Sequence, residues 1–329
     1  MPMTPDAILG LGRKFMESRV LLTAAELDLF TLLAKNPMTA AEAADTLKAT
    51  ERGVTILLDA VASMGLLDKI NGAYRCPPEV ASILSRESPA SMLPMVMHSV
   101  ELWKRWSNLT DIVLHGTKKT GPSVLESDEN AREAFIGAMH VVASRVAPGI
   151  VAAVKPPEAG KLLDIGGASG SYTQAFLEAR PGMTSTLFDL APVIEIARRR
   201  LAGTGLLERI TLVAGNFYDD ELPAGHDLAL LSAIIHQNSI EQNIDLFSKI
   251  FRALKPGGRL VIRDHVMSPD RTRPASGAFF AVNMLVGTPG GSTYTFDEIR
   301  ASLESAGFIR INLIQDDERM NGLVEGFKP

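Results

Sequence analysis

The sequence predicts an open, mostly parallel α/β sheet with helices on both faces, preceded by a smaller helical module ending in a β-hairpin wing. Three observations predict this. From Lys161 onward, strand-like and helix-like runs alternate. A glycine-rich turn, Gly166 to Gly170, joins the first of these strands to the first helix. Ahead of that series, helical periodicity gives way to two short runs flanking Asn71-Gly72, a strong hairpin signal.

Taken in order, Ile8, Leu11, Phe15, Val20, Leu21, Leu27 and Phe30 recur at helical spacing and predict one long helix over Ile8–Phe30. Such a helix cannot bury its apolar side alone, so it packs on its own domain or on a second copy. Thr39-Ala40-Ala41-Glu42 matches a capping box. Thr50 is the expected cap of a helix over Arg52–Met64, which Gly65 ends. Leu66–Ile70 and Tyr74–Cys76 complete a wing. Three helices and a wing are a fold often used on DNA, yet the candidate recognition helix offers only Arg52 before Asp59. A structural role is expected, and nucleic acid is not.

Pro77–Pro94 reads as a connector. Helices are expected over Ser99–His115, with Trp103 and Trp106, and over Asp128–Ala147, with Phe135, Met139 and His140. By default these side chains are core, but one face is available to line an apolar pocket. His98 and His140 are candidate polar pocket residues or structural histidines. Pro156-Pro157 marks the boundary to the last of three expected parts, 1–97, 98–155 and 156–329. Beyond it, strands are expected over Lys161–Ile165, Thr184–Phe188, Ile210–Ala214, Leu228–Ser232 and Arg259–Asp264. Helices are expected over Tyr172–Ala179, Val193–Leu201, Ile240–Leu254 and Phe296–Ala306. Ile309–Gln315 and Gly322–Phe327 supply two terminal strands.

Composition limits the function classes. The 329 residues are 46% hydrophobic and 22% charged, as in an ordinary soluble chain. A net charge of -5 gives no bulk attraction to nucleic acid. The single cysteine, Cys76, excludes an internal disulfide and a cysteine metal cluster. No basic and apolar leader is visible at the start, and no run is expected to reach membrane-spanning length. A cytoplasmic enzyme without a metal is the plain reading. Asp219 and Asp220 are not expected to form a metal site with Asp264.

The glycine turn narrows the ligand. Gly166-x-x-x-Gly170 is neither the dinucleotide pattern nor a phosphate loop. Asp189 ends the next strand, about 20 residues past the turn, where an acid is placed to take two ribose hydroxyls. Glycines and a ribose acid without phosphate chemistry point to a nucleoside. Here the sequence resembles class I S-adenosylmethionine-dependent methyltransferases, specifically the small-molecule O-methyltransferases of plant phenolic and bacterial polyketide type. The resemblance implies a Rossmann-like seven-stranded domain behind a winged-helix dimerisation domain, hence a homodimer acting on a small-molecule acceptor.

It also implies roles. Gly166 and Gly170 let the cofactor's methionine part approach the backbone. Asp164 orders that turn or holds the cofactor ammonium. Asp189 takes the ribose, and Leu190 packs on adenine. Asn216 stands where an acid normally receives the adenine amino group, and Phe217 covers the ring. Ser232 forms part of the pocket wall. Trp103, Phe135, Met139, Asn283 and Met284 are acceptor-pocket candidates. Thr293 occupies the position of the family's second catalytic glutamate.

Methyl transfer from a sulfonium needs an aligned oxygen, and a phenol benefits from losing its proton. His236 is the candidate base, since imidazole titrates near neutrality, and a catalytic histidine sits here in the resembled family. The usual Asp-Trp-Ser-Asp after it is reduced to Ser239, with Gln237, Asn238 and Ile240 in the other places. Asp264 ends the neighbouring strand and is the expected orienting carboxylate. Arg263 is expected on the opposite face, and His265 is an alternative polar contact. Without the glutamate, a nitrogen, carbon or other nucleophile stays open as acceptor. So does a non-catalytic, cofactor-binding winged-helix regulator.

Overall fold

The structure, a computed structural model, describes residues 3–117 and 129–329. The chain divides into two units, Met1–Lys104 and Arg105–Pro329. In the first unit the N-terminal periodicity yields not one helix but α1 (Pro5–Arg13), α2 (Phe15–Glu26) and α3 (Leu29–Lys35). Asp28 adopts a φ of 52°, left-handed backbone through which a right-handed helix cannot run. Its carboxylate accepts the Thr31 hydroxyl at 2.6 Å. Apolar spacing persists across that break, which is why it suggests a single helix. α1 buries none of its residues.

The capping box of Thr39 and Glu42 opens α4 (Ala40–Leu47) as expected. α5 (Glu51–Ser63) starts after Thr50, but the Thr50 side chain makes no capping bond. β1 (Met38–Thr39), β2 (Asp68–Ile70) and β3 (Ala73–Arg75) form an antiparallel sheet in the order β1-β3-β2. The Asn71-Gly72 turn has positive φ at both residues, as a two-residue hairpin of this twist requires. Phe30, Leu33, Leu58 and Tyr74 anchor this unit's core. α6 (Pro78–Leu84) follows.

The expected helix over Ser99–His115 is instead two, α7 (Leu93–Trp106) and α8 (Leu109–His115), broken at Asn108. The expected helix start at Asp128 lies outside the described residues. α9 (Glu129–Val154) runs past Ala147 and through Pro148. Within it, Phe135–Val154 is long and apolar enough to cross a membrane, contrary to the expectation that no run reaches that length. Here Ala147, Ile150, Val151 and Val154 are buried against Leu162 and Phe176 of the second unit's core.

That core surrounds a sheet of β4 (Ala159–Ile165), β5 (Gly182–Asp189), β6 (Ile210–Ala214), β7 (His226–Ser232) and β8 (Leu254–Asp264). All five are parallel. β9 (Val266–Met267) and β10 (Tyr294–Thr295) form a separate parallel pair. β11 (Ile309–Gln315) and β12 (Gly322–Phe327) complete a seven-stranded sheet, ordered β11-β12-β8-β7-β4-β5-β6, with β12 antiparallel to both neighbours. α10 (Ser171–Ala179), α11 (Ala191–Leu201), α12 (Ile240–Ala253), α13 (Ala275–Gly287) and α14 (Phe296–Ser305) supply the connections. Successive strand residues alternate between two cores: Leu163, Leu231 and Ile262 face one, while Leu162, Leu230 and Val261 face the other. The strand order reverses at β4, which has β5 on one side and β7 on the other, so the crevice expected in such a sheet lies beyond Ile165.

Candidate active site

Gly166 and Gly170, at that crevice, have φ of 67° and 74°. A Cβ at Gly166 would lie 2.8 Å from Ile234 Cδ1, and one at Gly170 would lie 2.8 Å from Leu201 Cδ1. Both the backbone conformation and the packing therefore demand glycine. Asp164 accepts the Thr173 amide at 3.2 Å and its hydroxyl at 2.6 Å, so it pins the first turn of α10 to the strand. Burial pushes its pKa up to about 6.

Asp189 is also buried, and burial likewise raises its pKa to about 6. One carboxylate oxygen accepts the Ala168 amide at 2.8 Å and the other accepts the Leu190 amide at 2.7 Å. Each oxygen retains a second lone pair, the donor-hungry arrangement that suits a vicinal diol. Leu190 is half-buried at the start of α11.

Asn216 organises its own loop. Its amide oxygen accepts the Tyr218 amide (3.1 Å), and its side-chain nitrogen donates to Asp219 (2.7 Å). Its backbone amide donates to Asp220 at 2.7 Å, so both acids are spent within this loop. Phe217 is half-buried, its ring 3.9 Å from the position a Gly166 Cβ would take. Ser232 Oγ accepts from Arg263 Nη1 at 3.2 Å. Arg263 also donates to Asn321 and lies 5.4 Å from the Tyr172 ring centroid. It thus occupies the face opposite Asp264, as strand alternation requires.

His236 sits on a single 3₁₀ turn, Ile235–Gln237. Its Nδ1 lies 2.8 and 3.0 Å from the two Asp264 carboxylate oxygens. A carboxylate only accepts, so Nδ1 carries the hydrogen and Nε2 is left as the proton acceptor. Asp264 is 1% exposed and His236 9%. Phe280 meets the imidazole edge-on, with centroids 4.8 Å apart. His265 donates its backbone amide to Asp264 Oδ1, and its ring lies 5.2 Å from Phe280. Burial lowers the His265 pKa.

On the acceptor side, Asn283 accepts the Trp106 indole N–H at 3.1 Å. Met284 is buried beside it on α13. Thr293 is buried as well, with its hydroxyl donating to the Gly277 carbonyl at 3.2 Å. It therefore ties its loop to α13. Phe135 and Met139 are half-buried on α9. His140 meets the Ser171 hydroxyl at 2.8 Å, beside the glycine turn. A cleft of about 380 Å³ lined by Ile136, His140, Ser169, Ile196 and Arg200 reaches that turn but not His236. Trp103 belongs to the first unit, where Arg19 lies 5.7 Å from its ring. Sequence reasoning missed Phe280, although it stands one helical turn before Asn283, and it missed the hydrogen bond between Trp106 and Asn283.

Comparisons with known proteins give the family and the fold. The O-methyltransferase domain family matches residues 106–309, and the O-methyltransferase dimerisation domain family matches residues 9–84. The tetracenomycin polyketide synthesis 8-O-methyl transferase of Streptomyces glaucescens is 30% identical, over 92% of this chain and 91% of its own. Human N-acetylserotonin methyltransferase, solved in complex with S-adenosylmethionine, is 25% identical with a TM-score of 0.83, covering 100% of this chain and 99% of that one. Mitomycin 7-O-methyltransferase is 28% identical with a TM-score of 0.85, covering 98% and 97%. The glycine turn and the buried acid ending β5 fit the nucleoside cofactor, and the chain belongs to the S-adenosylmethionine-dependent O-methyltransferase family.

Proposed function

We infer that the enzyme methylates a hydroxyl of an aromatic or polyketide-like small molecule, with His236 as general base oriented by Asp264. The observation that carries this reading is the buried His236–Asp264 pair, its Nε2 unpaired among the described residues, at the same sheet edge as the glycine turn. The polyketide relative from Streptomyces supports the acceptor class.

Bound S-adenosylmethionine supplies an electrophilic methyl group. Gly166, Gly170, Asp189, Leu190, Asn216, Phe217 and Ser232 are the residues assigned to hold it, with Asp164 acting through the turn. His236 Nε2 takes the acceptor's hydroxyl proton, and Asp264 keeps the imidazole in the Nδ1–H form and stabilises the charge it gains. With Thr293 bonded to Gly277, Asp264 orients the base without a second carboxylate. Phe135, Met139, Asn283 and Met284 are assigned to the acceptor.

Functionally we divide the chain into a dimerisation module (1–97), an acceptor-pocket region (98–155) and the methyltransferase domain (156–329). The working form is a cytoplasmic homodimer. The dimerisation match and the unburied apolar side of α1 support the assembly. The test is transfer of labelled methyl to a panel of phenols and naphthols by wild type and His236→Ala. Turnover is expected to fall about 10²- to 10⁴-fold with cofactor affinity retained. Wild-type turnover in the variant removes His236 from the base role.

A further inference from the structure

The two loops assigned above to adenine and to the base are joined by a polar ladder. The Tyr218 hydroxyl donates to Asn238 Oδ1 at 2.6 Å. Asn238 Nδ2 donates to Asn243 Oδ1 at 3.0 Å, and Asn243 Nδ2 donates to the Ile235 carbonyl at 2.9 Å. Asn238 is fully buried and Asn243 nearly so. The Asn238 carbonyl also accepts the Tyr294 hydroxyl, and the His236 carbonyl accepts the Ser292 amide at 2.9 Å. The backbone on both sides of the base is therefore held by buried hydrogen bonds, each costly to leave unmade.

The far end of the ladder lies in the other loop. The Tyr218 and Phe217 ring centroids are 4.6 Å apart, and Phe217 in turn reaches the glycine turn. Buried Lys249 of α12 donates to the Phe217 carbonyl at 3.0 Å and the Tyr218 carbonyl at 2.7 Å. The same helix carries Asn243, so α12 grips both loops. Strands β7 and β6 are not neighbours: β4 and β5, whose ends carry Gly166 and Asp189, lie between them. The Tyr218–Asn238 bond thus links the two sides of the cofactor crevice.

We propose that Asn238 is a positioning residue for methyl transfer, and that Tyr218 makes the placement of His236 depend on the loop that covers the nucleoside. This rests on the functional reading above. Rearranging the Phe217–Tyr218 loop around a nucleoside moves the Tyr218 hydroxyl, and that hydroxyl bonds directly to the ladder that fixes residues 235–238. By linkage, base placement then feeds back on cofactor affinity.

The test uses full-length protein with ¹⁵N-labelled histidine and S-adenosylhomocysteine as the probe. In the wild type, saturating probe should shift the His236 imidazole resonances. In Tyr218→Phe, which removes one hydroxyl, the probe should still bind within a few-fold, but the shift should be lost or much reduced. Asn238→Ala should displace the pH profile of kcat, and the two substitutions combined should be far from additive. A merely structural role would lower Tm and leave these readouts unmoved. An unchanged His236 response in Tyr218→Phe, or additive effects, overturns the proposal. Failure of the wild type to bind the probe sinks the functional reading and this proposal with it.

Discussion

Asp189 shows how one residue's environment sets a measurable property. Its pKa is raised to about 6 by burial, above its value in the unfolded chain, so ionising it costs stability as pH rises from about 4 to about 6. Two hydroxyl donors recover that cost only when the carboxylate is charged. Cofactor affinity should therefore weaken by roughly tenfold on acidification from neutral pH to about 5. Asp189→Asn should bind weakly at neutral pH and lose most of the further dependence. Because Asp164 titrates in the same range, the difference between the two proteins, measured by calorimetry with S-adenosylhomocysteine, is the decisive quantity. A variant curve parallel to the wild type contradicts the ribose assignment. At this scale the His236–Asp264 contact was legible because adjacent parallel strands bring their ends to one edge. The Thr293–Gly277 bond was not, since nothing local in sequence reveals a hydroxyl's partner sixteen positions away.

Elements were most legible where a backbone requirement and a burial pattern agree. The strands over Ile210–Ala214, Ile309–Gln315 and Gly322–Phe327 have the expected bounds. The turn from β4 into α10 is the clearest case: Gly170 has a left-handed φ, and Leu201 and Leu187 crowd the missing Cβ. Gly170→Ala should cost about 1–2 kcal/mol from backbone strain alone, more with the contacts at 2.8 and 3.0 Å. The expected result is a Tm several degrees lower together with weakened S-adenosylhomocysteine binding. An unchanged Tm would mean that the turn relaxes freely and that its glycine serves another end. Helix bounds failed where apolar periodicity ran through a break. Neither the left-handed Asp28 nor the stop at Asn108 interrupts the spacing of large apolar residues, so α1–α3 and α7–α8 each read as one helix. Periodicity reports which side is buried, not whether the axis is continuous.

At the scale of the molecule, the succession of a helical module and an α/β domain followed from the switch between helical periodicity and strand–helix alternation. What the N-terminal helix packs on did not, because an amphipathic pattern is the same for an intrachain core and for a second subunit. The structure narrows the choice. Ile8 is 57% exposed, Leu11 61% and Phe15 52%, and the dimerisation family's match begins at residue 9, within α1. A short helix with no buried residue gains little from its own chain and is marginal alone in water. Covering it with a second copy supplies the missing apolar contact. Ile8→Asp combined with Leu11→Asp should therefore convert a dimer to a monomer in light scattering, with circular dichroism losing at most the α1 contribution. Core residues Phe30, Leu33 and Leu58 belong to other helices, so the unit's fold should survive. A wild type that runs as a monomer, or a charged variant that keeps its dimer mass, would place the interface elsewhere and leave α1 without the role assigned to it.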